Sequence, residues 1–377
     1  MKKLIAISVV FALVAGVAFA VDLGGAVIGT VNVIQVSSDS TDVKGSAGLS
    51  RIRIEGGGEV ADGKFGGWLR IDPLSLRTWS RHADPLSSGF AGYVWWKPID
   101  QLKLGIGNNG GDGFWGKDGN AAYGFYQQAN DSGVVSVGNN WGGGYAGGIH
   151  ARTAFFGGLD YNSLFLEISP VDMVGINIAI PFFSHYNDIG QIFMGTLAQV
   201  DLKMSFGNIA FTFRGDKGKY DEQWAGDRNP DIKNSEIFGF FSLTAIDNLT
   251  IDFGLGSDFQ NTPINLGFAV KYATDSWGIK FRSVFAIPIS GDSNFGMFFD
   301  VLPYFVINES FRAFVSVGMG IEDIEVFTAN AGWHVNPYIE VGEEWGSSFY
   351  AGLKVYVTGG FDKAVKFEIP IGLIVKF

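Results

Sequence analysis

The sequence predicts an all-β protein, a transmembrane antiparallel up-and-down β-barrel. Three observations carry this: apolar residues alternate along most of the chain, many alternating stretches have membrane-crossing length, and both ends carry export-type features. Alternation is clearest at the C-terminus. There Phe367, Ile369, Ile371, Leu373, Val375 and Phe377 are apolar, and Lys366, Glu368, Pro370, Gly372, Ile374 and Lys376 lie between them. Successive side chains of a pleated strand point to opposite faces, so one face is uniformly apolar and the other mixed. Val200, Leu202, Met204 and Phe206 alternate in the same way with Gln199, Asp201, Lys203 and Ser205. Leu249, Ile251, Phe253 and Leu255 do so with Thr250, Asp252, Gly254 and Gly256. A helical period fits none of these stretches.

A soluble sandwich would also alternate. Many stretches here run about 9–12 residues, the length of a tilted transmembrane strand, whereas soluble strands average about 5–6. The mixed face combines glycine with charges of both signs, as a wet interior requires. Tyr93, Trp95, Trp96, Tyr272, Trp277 and Trp345 fall near strand ends, where interfacial aromatic girdles are expected.

The N-terminus sets the compartment. Met1-Lys2-Lys3 is basic, Leu4 to Val17 is almost unbroken apolar sequence, and Ala18-Phe19-Ala20 places small residues at a cleavage site. Residues 1–20 are therefore expected to be a Sec signal peptide cleaved after Ala20, leaving 21–377 as a single barrel domain. The apolar run is shorter than the roughly 20 residues a spanning helix needs. There is no cysteine, so stability must come from another source, which a large closed sheet provides. With 54 Gly, 34 Phe and 11 Pro in 377 residues, the composition suits many strands and tight turns. A net charge of −11 argues against nucleic acid or anionic lipid as a partner.

Connections alternate between tight and long. One turn recurs: Ile99-Asp100-Gln101-Leu102, Val171-Asp172-Met173-Val174, Ile246-Asp247-Asn248-Leu249 and, more loosely, Ile307-Asn308-Glu309-Ser310-Phe311. Asp or Asn there bonds to the backbone two residues on and closes a hairpin. Phe206-Gly207-Asn208-Ile209 and Thr274-Asp275-Ser276-Trp277 are further tight turns. Polar stretches at 37–46, 73–88, 110–160, 216–233 and 321–333 read as long loops. Strands laid between these marks fall at 22–36, 47–60, 63–72, 89–98, 101–109, 161–169, 173–181, 190–206, 208–215, 235–245, 249–257, 265–273, 276–287, 295–307, 310–320, 334–343, 348–358 and 364–377. That makes 18 strands, with 16 as the alternative, since the first strand and the 334–358 hairpin are the weakest. Both termini then lie on one side, with short periplasmic turns and long extracellular loops.

With these features the chain resembles the bacterial outer-membrane porins. Trp95-Trp96-Lys97-Pro98-Ile99-Asp100-Gln101-Leu102-Lys103-Leu104-Gly105-Ile106-Gly107 also resembles a hairpin of spirochaetal (treponemal) porin-like proteins. The resemblance implies an outer-membrane location, lipid around the barrel, and recognition of the strand ending at Phe377 by the barrel-assembly machinery. It implies a water-filled channel for passive diffusion of small hydrophilic solutes, and a homotrimer as one assembly, for which the sequence has no interface signature. It further implies that the loop after the fifth strand, here 110–160, folds into the lumen. Asp112 and Asp118 in that loop would then face Arg51 and Arg53 on the second strand and Arg70 on the third, with Arg77 and Arg81 following. Such opposed charges would set a transverse field across a pore constriction. Solvated lumen charges are the plainer alternative. The loop lacks the acidic motif of enterobacterial porins.

The inferred inner face carries Arg51, Arg53, Lys103, Lys203, Arg214, Lys271, Lys280, Arg282, Arg312, Lys354 and Lys366. Against these stand Glu55, Glu167, Asp201, Glu236, Asp252, Asp300, Glu340 and Glu368, so no firm ion selectivity follows. No enzyme, cofactor or metal site is expected. Gly105-Ile106-Gly107-Asn108-Asn109-Gly110 matches a dinucleotide fingerprint, but no helix follows to meet a pyrophosphate. His82, His150, His185 and His334 lack ligand spacing and are expected in loops or at strand ends. Nothing around Ser184-His185 marks a nucleophile–base pair. Asp216, Asp221, Asp227 and Asp231 lack EF-hand spacing. A substrate-specific barrel for a sugar or fatty acid, and a surface adhesin, are the rival readings.

Overall fold

A computed structural model describes residues 22–74, 89–108, 163–181, 196–214, 236–257, 264–289, 295–321, 324–326, 331–343, 346–357 and 360–377. Nearly all of these residues are strand. In order they are β1 (Asp22–Ser37), β2 (Lys44–Val60), β3 (Phe65–Leu74), β4 (Gly89–Ile99), β5 (Leu102–Asn108) and β6 (Ser163–Val171). Then come β7 (Val174–Pro181), β8 (Leu197–Met204), β9 (Gly207–Arg214), β10 (Glu236–Ile246), β11 (Leu249–Ser257) and β12 (Ile264–Ala273). The rest are β13 (Trp277–Ile287), β14 (Gly296–Asn308), β15 (Phe311–Ile321), β16 (Ala331–Gly342), β17 (Ser348–Gly352), β18 (Lys354–Val357) and β19 (Lys366–Lys376).

Apart from β17 and β18, each strand pairs antiparallel with the next, and β1 pairs with β19, which closes the sheet. Segments β17 and β18 are two halves of one stave, since both lie between β16 and β19. The barrel therefore has 18 staves, and the alternative count of 16 is set aside. Eight short turns gather at one end with both termini, and the longer connections gather at the other. Phe377 completes the closure, exchanging two backbone hydrogen bonds with Gly25 at 2.7 and 3.1 Å.

The recurring turn has a structural partner that the residue types alone did not reveal. Before Asp100, Asp172 and Asp247 the incoming strand carries a bulge, two residues opposing one: Lys97-Pro98 against Lys103, Ser169-Pro170 against Gly175, Thr244-Ala245 against Thr250. A bulge leaves a residue out of the ladder, so proline is tolerated at Pro98 and Pro170. Asn248 adopts φ +66°, a conformation that asparagine tolerates better than most residues. Asn308 makes the predicted local bond, its Oδ1 accepting from the Ser310 N–H at 2.9 Å.

Several boundaries differ from expectation, among them β2, which starts at Lys44 where 47 is expected. The tight turn after β8 is Ser205-Phe206, and Gly207 already belongs to β9. Gly207 has φ +154° and lies against the Ser242 carbonyl, where a Cβ has no room. The described part of β8 begins at Leu197, and 190–195 lie outside the described residues. β16 starts at Ala331, three residues before its predicted start.

Beside Pro370, which lacks an amide proton and so withholds one ladder bond, the ladder is irregular on both sides of the closing strand. On one side β1 bulges, Val33-Ile34 opposing Ile369 alone. On the other, pairing of the β17–β18 stave with β19 lapses between Ala351 and Lys354, while the Leu353 N–H donates to the Pro337 carbonyl of β16 at 2.9 Å.

The two faces of the sheet are sorted inside out. Val94, Phe211, Phe253, Phe305, Val317 and Leu373 are exposed on the outer face. Asp201, Asp252, Asp300, Glu340 and Glu368 are buried on the inner one. The single described helical turn, Ile324–Val326, is too short to cross a membrane.

Candidate functional site

Backbone register decides which inner side chains meet. Directly opposed side chains have Cβ atoms about 4.5–5.5 Å apart, close enough for opposite charges to pair. By backbone register six acidic positions stand opposite a basic one on the adjacent stave: Glu55 and Arg70, Glu167 and Lys103, Glu236 and Arg214, Asp300 and Arg282, Glu340 and Arg312, Glu368 and Lys354. Four of these form ion pairs: Lys103–Glu167 at 3.4 Å, Arg282–Asp300 at 3.2 Å, Arg312–Glu340 at 3.1 Å and Lys354–Glu368 at 3.9 Å. The near balance of lumen charge read from sequence is thus largely a stave-by-stave neutralisation.

From β13 round to β1 these pairs extend into a hydrogen-bonded arc. Ser316 Oγ donates to Asp300 at 3.4 Å and lies 2.8 Å from His334 Nε2. The Tyr350 hydroxyl donates to Glu340 at 2.7 Å. Glu368 accepts from the Tyr356 hydroxyl at 2.6 Å and from Gln35 Nε2 at 2.9 Å. Across β7 to β9 the wall continues with Asn177 donating to Asp201 at 3.0 Å and Gln199 to Thr212 at 2.8 Å.

His334 corrects an expectation. It lies within β16 on the inner face, 2% exposed, instead of in a loop or at a strand end. With Ser316 and Asp300 it has the composition of a nucleophile–base–acid set. Both partners approach the same ring nitrogen, the acid at 3.6 Å, whereas a relay needs the acid on the other nitrogen. The group is a structural node of the wall.

Across β3 to β6 the inner face is aromatic. Trp68 lies 6.0 Å from Tyr93, and Tyr93 meets Phe165 edge-on at 5.6 Å. The Lys103 ammonium sits 5.2 Å from the Trp95 ring centre, 5.8 Å from Tyr93 and 5.9 Å from Phe165. Lys97 lies 4.8 Å from the Trp95 ring. These rings lie across glycines of neighbouring strands. A Cβ on Gly105 would enter the Phe165 ring, and one on Gly66 the Trp95 ring. Tyr304 covers Gly278 in the same way. Glycines and aromatics, both abundant in this chain, are thus partners in a shared packing device.

That arrangement removes Tyr93 and Trp95 from the predicted girdle. They share a face with Lys97, so the pleat turns them inward, and both are under 10% exposed. Trp96 and Trp277 do face outward near the short-turn end, Trp96 stacked on Phe65 at 6.3 Å and Trp277 against Tyr272 at 5.4 Å. Trp345 lies outside the described residues.

Of the predicted constriction, Arg51 and Arg53 stand in register opposite Ile28 and Ala26 of β1, two positions on one face. Arg70 stands opposite Glu55 and Ala91. The side chain of Arg51 is not described. Asp112, Asp118, Arg77, Arg81 and the whole 110–160 loop lie outside the described residues, as do His82, His150, His185 and the 216–233 aspartates.

Closure, uniform antiparallel pairing and a charge-paired interior define the protein as a closed 18-stranded β-barrel. No protein-family model matches the chain, and no curated protein matches it. Among solved structures it is similar to a triple mutant of the Rhodopseudomonas blastica porin, at 14% identity and a TM-score of 0.45, over 94% of this chain and 99% of that one. A second mutant of the same porin gives 14% identity and a TM-score of 0.47 over the same shares.

Proposed function

We propose that the chain is an outer-membrane porin, a water-filled channel for passive diffusion of small hydrophilic solutes. The observation that carries this is the inside-out sorting of the wall. Apolar side chains on the outer face suit lipid, and paired charges on the inner face suit water. The proposal includes residues 1–20 as the cleaved export signal, and β19 with Phe377 as the strand read by the barrel-assembly machinery. The short turns would face the periplasm, and loop 110–160 would enter the lumen. Arg51, Arg53 and Arg70 would there oppose Asp112 and Asp118 as the constriction. A homotrimer and a spirochaetal source enter by the sequence resemblance alone.

Planar-bilayer recording of the refolded chain tests the channel: discrete conductance steps are expected, and their absence overturns the reading. Reversal potentials of Arg51→Ala/Arg53→Ala channels equal to those of the unmodified protein would remove the constriction.

A further inference from the structure

We infer that the recurring short turn is a lipid-headgroup contact, its aspartate pairing with the primary ammonium of a phosphatidylethanolamine headgroup. This rests on the membrane reading above and adds a partner at the short-turn rim. Three hairpins carry the same unit: Ile99-Asp100 where β4 turns into β5, Val171-Asp172 where β6 turns into β7, and Ile246-Asp247 where β10 turns into β11. In each, the aliphatic residue follows a bulge and stands opposite an apolar partner on the returning strand, Leu102, Val174 or Leu249. The turn itself does not use the carboxylates. Asn308, in the looser fourth version, accepts from the Ser310 N–H. Asp100, Asp172 and Asp247 are exposed and make no side-chain hydrogen bond or ion pair among the described residues.

The aliphatic residues set the depth. Ile99, Val171 and Ile246 are each more than half exposed, and their register places them on the outer face. Leu249, opposite Ile246, is also opposite Tyr272, which lies 5.4 Å from the outward Trp277. Ile246 is therefore level with an interfacial aromatic pair, and Asp247 lies one residue beyond, at headgroup depth. Charge selects the headgroup. The lysines nearest these turns face inward: Lys97 and Lys103 lie against the Trp95 ring, and Lys203 shares the parity of the buried Asp201. From β4 to β11 no described strand residue of outward parity is basic. An anionic headgroup is repelled at such a rim. A primary ammonium donates N–H bonds to a carboxylate, which a quaternary one cannot, while the acyl chain packs on the aliphatic residue.

The chain has no cysteine, so a single introduced one carries a fluorophore. Gln101→Cys labels the β4–β5 turn. Ser205→Cys labels the β8–β9 turn, where Phe206 is exposed but no acid is present. The refolded barrel is placed in phosphatidylcholine vesicles with EDTA. A nitroxide quencher is then added on the acyl chain of phosphatidylethanolamine, phosphatidylcholine or phosphatidylglycerol. At Gln101→Cys the phosphatidylethanolamine probe should be enriched about twofold over phosphatidylcholine, the scale of an exposed ion pair, and phosphatidylglycerol depleted. At Ser205→Cys phosphatidylethanolamine and phosphatidylcholine should quench alike. Asp100→Asn should abolish the preference at Gln101→Cys, and Asp100→Glu should keep it. Equal quenching at Gln101→Cys, the same preference at Ser205→Cys, or its survival in Asp100→Asn overturns the inference. A preference seen only without EDTA is a divalent-cation bridge and overturns it too. Unchanged phosphatidylcholine quenching in Asp100→Asn shows that the variant barrel is inserted. No quenching at either position by any lipid ends the membrane reading and this one with it.

Discussion

From β3 to β6 the inner wall is laid with rings over glycines, whereas from β13 to β19 it is tied by carboxylates to cations, hydroxyls and a histidine. Both arcs fill the inner face to similar burial, but by opposite means. A ring over a glycine is a matter of volume: Phe165 lies where a Gly105 Cβ would stand. A carboxylate in the polar arc is a matter of pairing: Asp300, with no exposed surface, depends on Arg282 and Ser316. Damage to the first arc should therefore scale with added or lost volume. Damage to the second should scale with the charge left alone.

The largest effect is expected in the polar arc. Asp300→Ala strands a buried guanidinium and should lower the unfolding free energy by about 3–5 kcal/mol, measured by urea unfolding of the barrel in vesicles. A loss below about 1 kcal/mol would mean that this arc is hydrated like a surface, and the contrast would fail. In the aromatic arc Gly105→Ala should cost about 1–3 kcal/mol by overpacking. Adding Phe165→Leu should recover some of that loss, a coupling that a volume-limited site requires. The smallest effect has the opposite sign. Lys271→Glu turns the like-charged pair of Lys271 with Lys280 into the pattern of the other six and should stabilise by about 0.2–1 kcal/mol.

Much of the architecture is legible in the sequence because a barrel's wall repeats one rule. Alternation locates all 18 staves, mostly within two or three residues, and puts the described inner-face charges on their correct side. Register is not legible. That Glu167 meets Lys103, or that Lys271 meets Lys280, depends on the bulges and turn lengths between them, which shift pairing by single residues. Nearness to a strand end suggests an outward place for Tyr93 and Trp95, although their shared parity with Lys97 points inward. His334 escapes the sequence because Ala331-Gly332-Trp333 offers too weak an alternation to extend the strand. Gly207 looks like turn sequence, and only its contact with Ser242 explains its place in the ladder.

Pro370 gives the seam of the barrel a particular construction. The ladder lapses beside it toward both neighbours, so the last strand is not one continuous clasp but two short ones. The lower clasp joins Pro370 to Lys376 with the start of β1 and Ile371 to Ile374 with β17, and it ends in the reciprocal bonds of Phe377 and Gly25. The upper joins Lys366 to Glu368 with β18 and with Gln35 to Ser37, reinforced by the Glu368 hydrogen bonds. The seam is thus held by two short ladders in series, with the irregularity at Ile369-Pro370 between them.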